Sequence, residues 1–268
     1  MRRFYTVMAA LGLVALPAAF GSALLAAAGS STPGKEETAK SKLLGAGAEL
    51  LQNLAPIEQI NMYLDGFHFA ADDMAEQFEA HHFCAALNEE MHQCAIYDGN
   101  GDDAKLVGIE YIISKRLFEQ LPAEEKALWH SHHYEVKSGQ LIMPGVPQRA
   151  EHELMEKLVS TYGKTWHTWH SQQGDRLPLG TPQLMMGFIA DGQTNPQLLR
   201  QRDQRLDVSV EERKQARADI PMPEVAAGAN AWQEGRALQL RAEQVQVKNL
   251  AGAVKPQSQS SQQAVKTE

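Results

Sequence analysis

Cys94-Ala95-Ile96-Tyr97-Asp98-Gly99-Asn100-Gly101 combines a short apolar strand pattern with a turn, and Leu106-Val107-Gly108-Ile109-Glu110-Tyr111-Ile112-Ile113 follows it. Asp, Gly and Asn tolerate the backbone angles of tight turns, so residues 98–101 end the first strand. The second run is rich in β-branched residues, which favour strands. Strands joined by so short a connection pair antiparallel. This stretch therefore predicts a hairpin within an antiparallel sheet.

The flanking segments extend this pattern in both directions. Apolar alternation predicts further strands at 57–70, 129–136, 140–143 and 164–170. Asp72 is a good helix N-cap, and it predicts a helix that runs to about Glu90. Other helices are predicted at 114–121, 122–128 and 151–162. Together these elements predict an α+β fold, a mainly antiparallel sheet with helices packed on one face.

The ends of the chain differ in composition from its centre. Arg2 and Arg3 precede an uncharged apolar run that ends in small residues, which predicts a signal peptide over 1–28; an uncleaved membrane anchor is the alternative. An exported chain would be periplasmic or secreted. We expect a linker at 29–41, the α+β domain at 42–192, a helical extension of the same domain at 193–250 and a disordered tail at 251–268.

Composition limits the classes of partner. The 268-residue chain has a formal net charge of −8, which argues against nonspecific nucleic-acid binding and against attraction to an anionic membrane.

The two cysteines of the chain, Cys84 and Cys94, either form a disulfide or remain as two buried thiols. The sequence contains no nucleophile motif, phosphate-binding loop or dinucleotide fingerprint.

The histidines are the strongest chemical signal. On a strand, His130, His132 and Tyr134 would share one face, and two such imidazoles can bind one metal ion. Glu110 lies in an apolar strand, where a carboxylate needs a partner or a cation. The predicted ligands of a zinc-like divalent ion are His81, His82, Glu110, His130 and His132, and the residues expected around them are His68, Tyr134 and Glu135. Alternatively, each histidine is an ordinary core or surface residue; His92, His133 and His152 are assigned to the surface.

Several motifs resemble the oil body-associated protein family, formerly a domain of unknown function. They are Glu79-Ala80-His81-His82-Phe83-Cys84, Leu87-Asn88-Glu89, Gln93-Cys94-Ala95-Ile96-Tyr97-Asp98, 106–112, 128–132, 134–139 and Gly174-Asp175-Arg176-Leu177-Pro178-Leu179-Gly180. The resemblance covers roughly 43–235. It implies association with lipid droplets in plants and no settled enzymatic activity. The predicted signal peptide makes this chain an exported member. The plant members lack an export signal of this kind, so we do not expect the droplet location to apply to it.

Three hypotheses for function follow. The first is an exported binding protein with a His/Glu polar pocket that holds a metal ion. The second is a metal-dependent hydrolase that uses the same cluster, with Glu110 or Glu135 as the base. The third is a lipid- or surface-associated structural protein without a metal. The expected partners are a lipid or a small ligand, with no nucleic acid and no membrane span once the signal peptide is removed.

Overall fold

Six antiparallel strands close into a barrel. The computed structural model describes residues 32–246 and 248. Its strands are β1 Met62–Ala70, β2 Asp73–Asn88, β3 Met91–Tyr97, β4 Leu106–Ser114, β5 His130–Ser131, β6 Thr161–His167 and β7 Gln183–Met186. The order β4-β3-β2-β1-β7-β6 is closed by pairing of β6 with β4, and the short β5 pairs with β6 beside β7. The predicted antiparallel sheet is confirmed. Its closure into a barrel, which encloses an interior, was not predicted.

The helices lie before, between and after the strands, so the α+β class is confirmed. They are α1 Ala39–Leu51, α2 Ala55–Glu58, α3 Lys115–Glu119, α4 Ala123–Lys126, α5 His133–Lys137, α6 Gln148–Leu158, α7 Pro196–Leu206 and α8 Val210–Ala216. The start of α1 at Ala39 takes in the last residues of the predicted linker. Among the described residues of the predicted extension, the last α-helix ends at Ala216, and one 3-10 turn follows at Ala231–Glu234.

The predicted helix from Asp72 to Glu90 is wrong, because Asp73–Asn88 form strand β2. They pair with β1 on one side and with β3 on the other. Phe78, Ala80 and His82 alternate toward the barrel interior, as the two-residue period of a strand requires. The helix prediction relied on the capping residue and the acidic first turn. Pairing along both edges of the strand outweighs such local preferences.

The strand predicted at 129–136 is also largely wrong. Only His130 and Ser131 pair with β6, and α5 begins at His133. Residues 140–143 contribute one isolated bridge, between Ile142 and Asp65, where a strand was predicted. The predicted helix at 151–162 begins earlier and ends at Leu158, which leaves Thr161 and Tyr162 to begin β6.

Apolar side chains fill the barrel around the polar centre described below. Leu64 and Ile112 pack with Val136 of α5 and Met155 of α6, so these helices cover one end of the barrel. Cys84 and Cys94 are register partners on β2 and β3 with Cα atoms 4.0 Å apart, and they form a disulfide. A second apolar cluster lies outside β1 and β7 and contains Phe67, Phe69, Met186, Phe188 and Trp232.

Two predicted segments lie outside the described residues. They are the signal peptide at 1–28, with its anchor alternative, and the tail at 251–268. Among residues 32–246 and 248, no helix has both the length and the apolar character that a membrane crossing requires.

Candidate metal centre

Glu110 is the centre of a buried polar cluster inside the barrel. Its side chain is 1% exposed. One carboxylate oxygen, Oε2, lies 2.8 Å from His82 Nε2 and 3.5 Å from His68 Nε2. The other oxygen, Oε1, lies 3.1 Å from His132 Nε2 and 3.7 Å from His130 Nε2. Four imidazoles from three segments of the chain thus present the same ring atom, Nε2, to one carboxylate.

Strand register explains why these groups meet. Leu64 pairs with His82 and Cys94 pairs with Glu110, so both polar side chains share the interior face with the disulfide. His68 follows Leu64 by four residues on β1 and therefore faces the same way. His130 reaches the centre because β5 pairs with β6, which itself pairs with β4.

Two glycines allow the cluster to lie against the strands. A Cβ on Gly163 would overlap Glu110 Oε1 and would lie 2.8 Å from both His130 Cε1 and His132 Nε2. A Cβ on Gly187 would lie 2.9 Å from His130 Cδ2 and 3.0 Å from Glu135 Oε1. Real Cβ atoms do not approach other atoms so closely, so both positions require glycine while the cluster keeps this arrangement.

The hydrogen bonds of His132 define which ring nitrogen holds a proton. Thr161 Oγ1 donates to the Leu158 carbonyl at 2.7 Å, so its oxygen is an acceptor toward His132 Nδ1, also at 2.7 Å. Nδ1 therefore carries the hydrogen, and the Nε2 of a neutral ring presents a lone pair. That lone pair points at Glu110 Oε1, which is itself an acceptor, 3.1 Å away. Two acceptors this close need a cation or a second proton between them.

Burial determines the charge state of the other members. It lowers the pKa of His68, and it lowers that of His130 well below the usual value. Burial alone would raise the pKa of Glu110, but His82, His132 and His68 hold that pKa well below its usual value. Burial and the neighbouring Glu110 raise the pKa of Glu135 well above the usual value. Burial thus favours the neutral form of His68 and His130, whereas the contacts of Glu110 favour its ionised form.

Several ring and carboxylate atoms here have no hydrogen-bond partner among the described residues. They are both ring nitrogens of His130, the Nδ1 atoms of His68 and His82, and Oε2 of Glu135. A cavity of about 10 Å³, close to the smallest that holds one water molecule, adjoins the group. Its polar lining consists of His68, His82, Glu110, His132 and Glu135.

The structure brings together four of the five predicted ligands but not His81. Because β2 is a strand, His81 faces away from His82 and contacts the outer side of β1. Its Nδ1 lies 2.7 Å from Tyr63 Oη and 3.1 Å from Asp65 Oδ2, and burial lowers its pKa to about 4. Asp65 and Glu79 in this outer group pair with Arg202 and Arg205. The guanidinium groups already balance these carboxylates.

The residues expected around the ligands also differ from prediction. His68 lies within the cluster around Glu110 itself, and Glu135 lies on the same side as His130 and His132 because helix α5 replaces the predicted strand. Tyr134 turns away and donates to Asp191 at 2.8 Å.

Sequence reasoning missed two buried histidines. His133, which was assigned to the surface, is buried. His167 is buried beside His68, with ring centroids 5.6 Å apart. Its alternation with Gly163 and Thr165 along β6 would have placed it inside the barrel, had the start of that strand been known.

Comparison with known proteins places this architecture in a family. The family model described as "Protein of unknown function (DUF1264)" matches residues 54–221. Oil body-associated protein 1B of Arabidopsis thaliana is 43% identical over 220 residues, which cover 82% of this chain and 91% of that protein. Oil body-associated protein 1A of Zea mays is 44% identical over 223 residues, 82% of this chain and 94% of that protein. No solved structure is similar enough to match.

These relatives correct the expected location. Each carries a name that associates it with oil bodies, including the 2A protein of Zea mays, which is 44% identical over 193 residues. The expectation that this chain is periplasmic or secreted is therefore wrong. The sequence resemblance itself is confirmed by a family model that covers most of the barrel and by relatives that align along most of their length. The chain belongs to the oil body-associated protein family.

Proposed function

We propose that this protein binds a divalent transition-metal ion inside its barrel, through Glu110, His68, His82, His130 and His132. The observation that carries the proposal is the contact between His132 Nε2 and Glu110 Oε1. Both atoms are acceptors when the ring is neutral, and they lie 3.1 Å apart in a buried site. A metal ion would use both lone pairs at once, while Thr161 holds the imidazole in the tautomer that coordination requires.

The donor set fits such an ion. Imidazole nitrogens and carboxylate oxygens are the ligands of zinc and related metals, at about 2.0–2.2 Å from the ion. Ligand atoms around a tetrahedral ion of that kind lie roughly 3.3 Å apart. The four Glu110–histidine separations, from 2.8 to 3.7 Å, lie around this value. The unpartnered nitrogens of His130 add a donor without a competing hydrogen bond.

The location of the ligands favours binding over hydrolysis. They come from β1, β2, β4, β5 and the residue before α5, so an ion would cross-link most of the barrel. When bound, the metal supplies a Lewis acid. Glu110 and its four histidines are all buried, however, and Glu110 already contacts the four imidazoles. A hydrolase would need this carboxylate or Glu135 to reach both water and substrate, so the hydrolase alternative has less support.

Elemental analysis of the untagged full chain tests the proposal. We expect at least one equivalent of a transition metal, and we expect His132→Ala to lower the bound metal by more than half. Because a ligand that binds only the folded state stabilises it, chelator-stripped protein should melt several degrees lower than protein reloaded with Zn²⁺. The measurements are metal content by mass spectrometry and Tm by circular dichroism.

His152→Ala is the matched control. This partly exposed histidine pairs with Asp219 on the surface, so its loss should change neither metal content nor Tm by more than a small amount. A parent that binds no metal after reconstitution with Zn²⁺, Co²⁺ or Mn²⁺ would defeat the proposal. His132 would then be a protonated partner of Glu110.

A second function is favoured by a separate surface. Helix α1 has no buried residue, and its four leucines, Leu43, Leu44, Leu50 and Leu51, are 63–88% exposed. Their separations of one, six, seven and eight residues place them on one side of the helix. The relatives carry the name oil body-associated. We propose that this leucine face inserts into the surface of an oil body, as amphipathic helices do at lipid interfaces.

Replacing Leu43 and Leu50 with serine should weaken lipid association at least ten-fold, because each buried leucine contributes roughly 1.5–3 kcal/mol. Flotation of the full chain with triolein droplets coated in phosphatidylcholine measures the bound fraction. The Leu238→Ser/Leu240→Ser variant is the control, since these leucines are half exposed and lie outside α1. Equal flotation of both variants, or no flotation of the parent, would exclude a role for the leucine face.

A further inference from the structure

The buried cluster contains more donors than one ion uses. Six groups with ligand atoms lie around the centre: His68, His82, Glu110, His130, His132 and Glu135. Zinc-like ions in proteins usually take four ligands. Glu135 is buried and its Oε2 has no hydrogen-bond partner among the described residues. A single ion held by Glu110 and the imidazoles gives this second carboxylate no partner.

The ligand atoms divide into two overlapping groups. In one, atoms of His68, Glu110 and His130 lie within 4.8 Å of one another, and in the other, atoms of His130, His132 and Glu135 do. Glu110 faces the two halves with different oxygens. Oε2 is the oxygen near His68 and His82, whereas Oε1 is the oxygen near His130 and His132. A carboxylate that offers one oxygen to each half is the usual bridge between two metal ions.

We infer that the centre binds two ions bridged by Glu110, one with His68 and His82 and the other with His130, His132 and Glu135. This inference rests on the proposed metal-binding function and extends it. Each ion then has two imidazoles and at least one carboxylate oxygen. Glu135, which is buried with one oxygen unpartnered among the described residues, then contacts a cation. The absence of a side chain at Gly187 allows Glu135 to approach His130. Two-metal centres of this kind place the ions about 3.5–4 Å apart.

Native mass spectrometry of the full chain tests the stoichiometry. The protein is stripped with a chelator, reloaded with Zn²⁺ and desalted, and we expect two equivalents per chain. The Glu135→Gln variant, which keeps the shape of the side chain but cannot supply an anionic oxygen to a metal ion, should retain one equivalent. His152→Ala should retain two. In the parent reloaded with Cu²⁺, two ions bridged by one carboxylate should give a spin-coupled electron paramagnetic resonance spectrum.

The outcomes separate this inference from the proposed function. One equivalent in the parent, with an uncoupled Cu²⁺ spectrum, would overturn the two-ion centre and leave a single metal site. No bound metal would overturn both. If Glu135→Gln does not fold, the stoichiometry and the spin coupling of the parent still decide the question.

Discussion

Replacing Arg202 with methionine is expected to lower the free energy of unfolding by about 3–5 kcal/mol, the cost of breaking a buried ion pair from one side. The Arg202 side chain is 0% exposed and donates from Nη1 to Asp65 Oδ1 and to the Gln140 carbonyl, both at 2.8 Å. Its guanidinium also lies 4.8 Å from the centroid of the Phe67 ring. Urea unfolding followed by circular dichroism measures the loss.

This loss of stability is expected because Asp65 would remain buried without Arg202. Burial and the neighbouring Glu79 raise the pKa of Asp65 well above its usual value, and Arg202 opposes this rise. Without the guanidinium, Asp65 loses its counter-charge inside the protein. Asp65→Asn combined with Arg202→Met should therefore cost less than the sum of the two single changes. Arg200→Met, at an exposed position on the same helix, is the control; a similar loss there would contradict this explanation.

Replacing Gly163 with alanine is expected to weaken metal binding at least 100-fold and to lower the free energy of unfolding by roughly 1–3 kcal/mol, as overpacking of a core does. The added methyl would overlap Glu110 Oε1 and lie 2.8 Å from His130 Cε1 and His132 Nε2. All three side chains are buried, so they cannot move into solvent. Isothermal titration with Zn²⁺ measures the affinity, and urea unfolding of the stripped protein measures the packing cost.

Gly47→Ala is the matched control, because a Cβ at that position in α1 has no neighbour within 4 Å. It should leave metal affinity unchanged and keep or slightly raise stability, since alanine favours helix over glycine. Unchanged Zn²⁺ affinity in Gly163→Ala would show that the metal does not lie where Glu110 and the two histidines meet. If Gly163→Ala lowers only the free energy of unfolding and leaves the Zn²⁺ affinity unchanged, overpacking alone explains the result.

Local sequence patterns were enough to predict the class of fold and most of the chemical groups of the centre. Apolar alternation and turn residues predicted an antiparallel sheet, and the 94–113 hairpin appears as β3 and β4. An acid within an apolar strand identified Glu110, and the spacing of His130 and His132 identified a pair that meets it. The family resemblance also came from motifs in the sequence. Strands, turns and the spacing of polar residues depend on neighbours within a few positions of the chain, so they can be predicted from the sequence.

The set of histidines that forms the centre depends on long-range contacts, which local patterns do not predict. The segment 73–88 has a good helix start, yet its residues pair with β1 and β3, and this pairing sends His82 inward and His81 outward. His68 and Glu135 join the buried cluster because the barrel closes through β4 and β6 and because α5 follows β5. Closure depends on hydrogen bonds between strands far apart in the chain, such as the register of Glu110 with Thr165. The energy of such long-range pairing is not visible in any local pattern, and it outweighed the local preference for a helix.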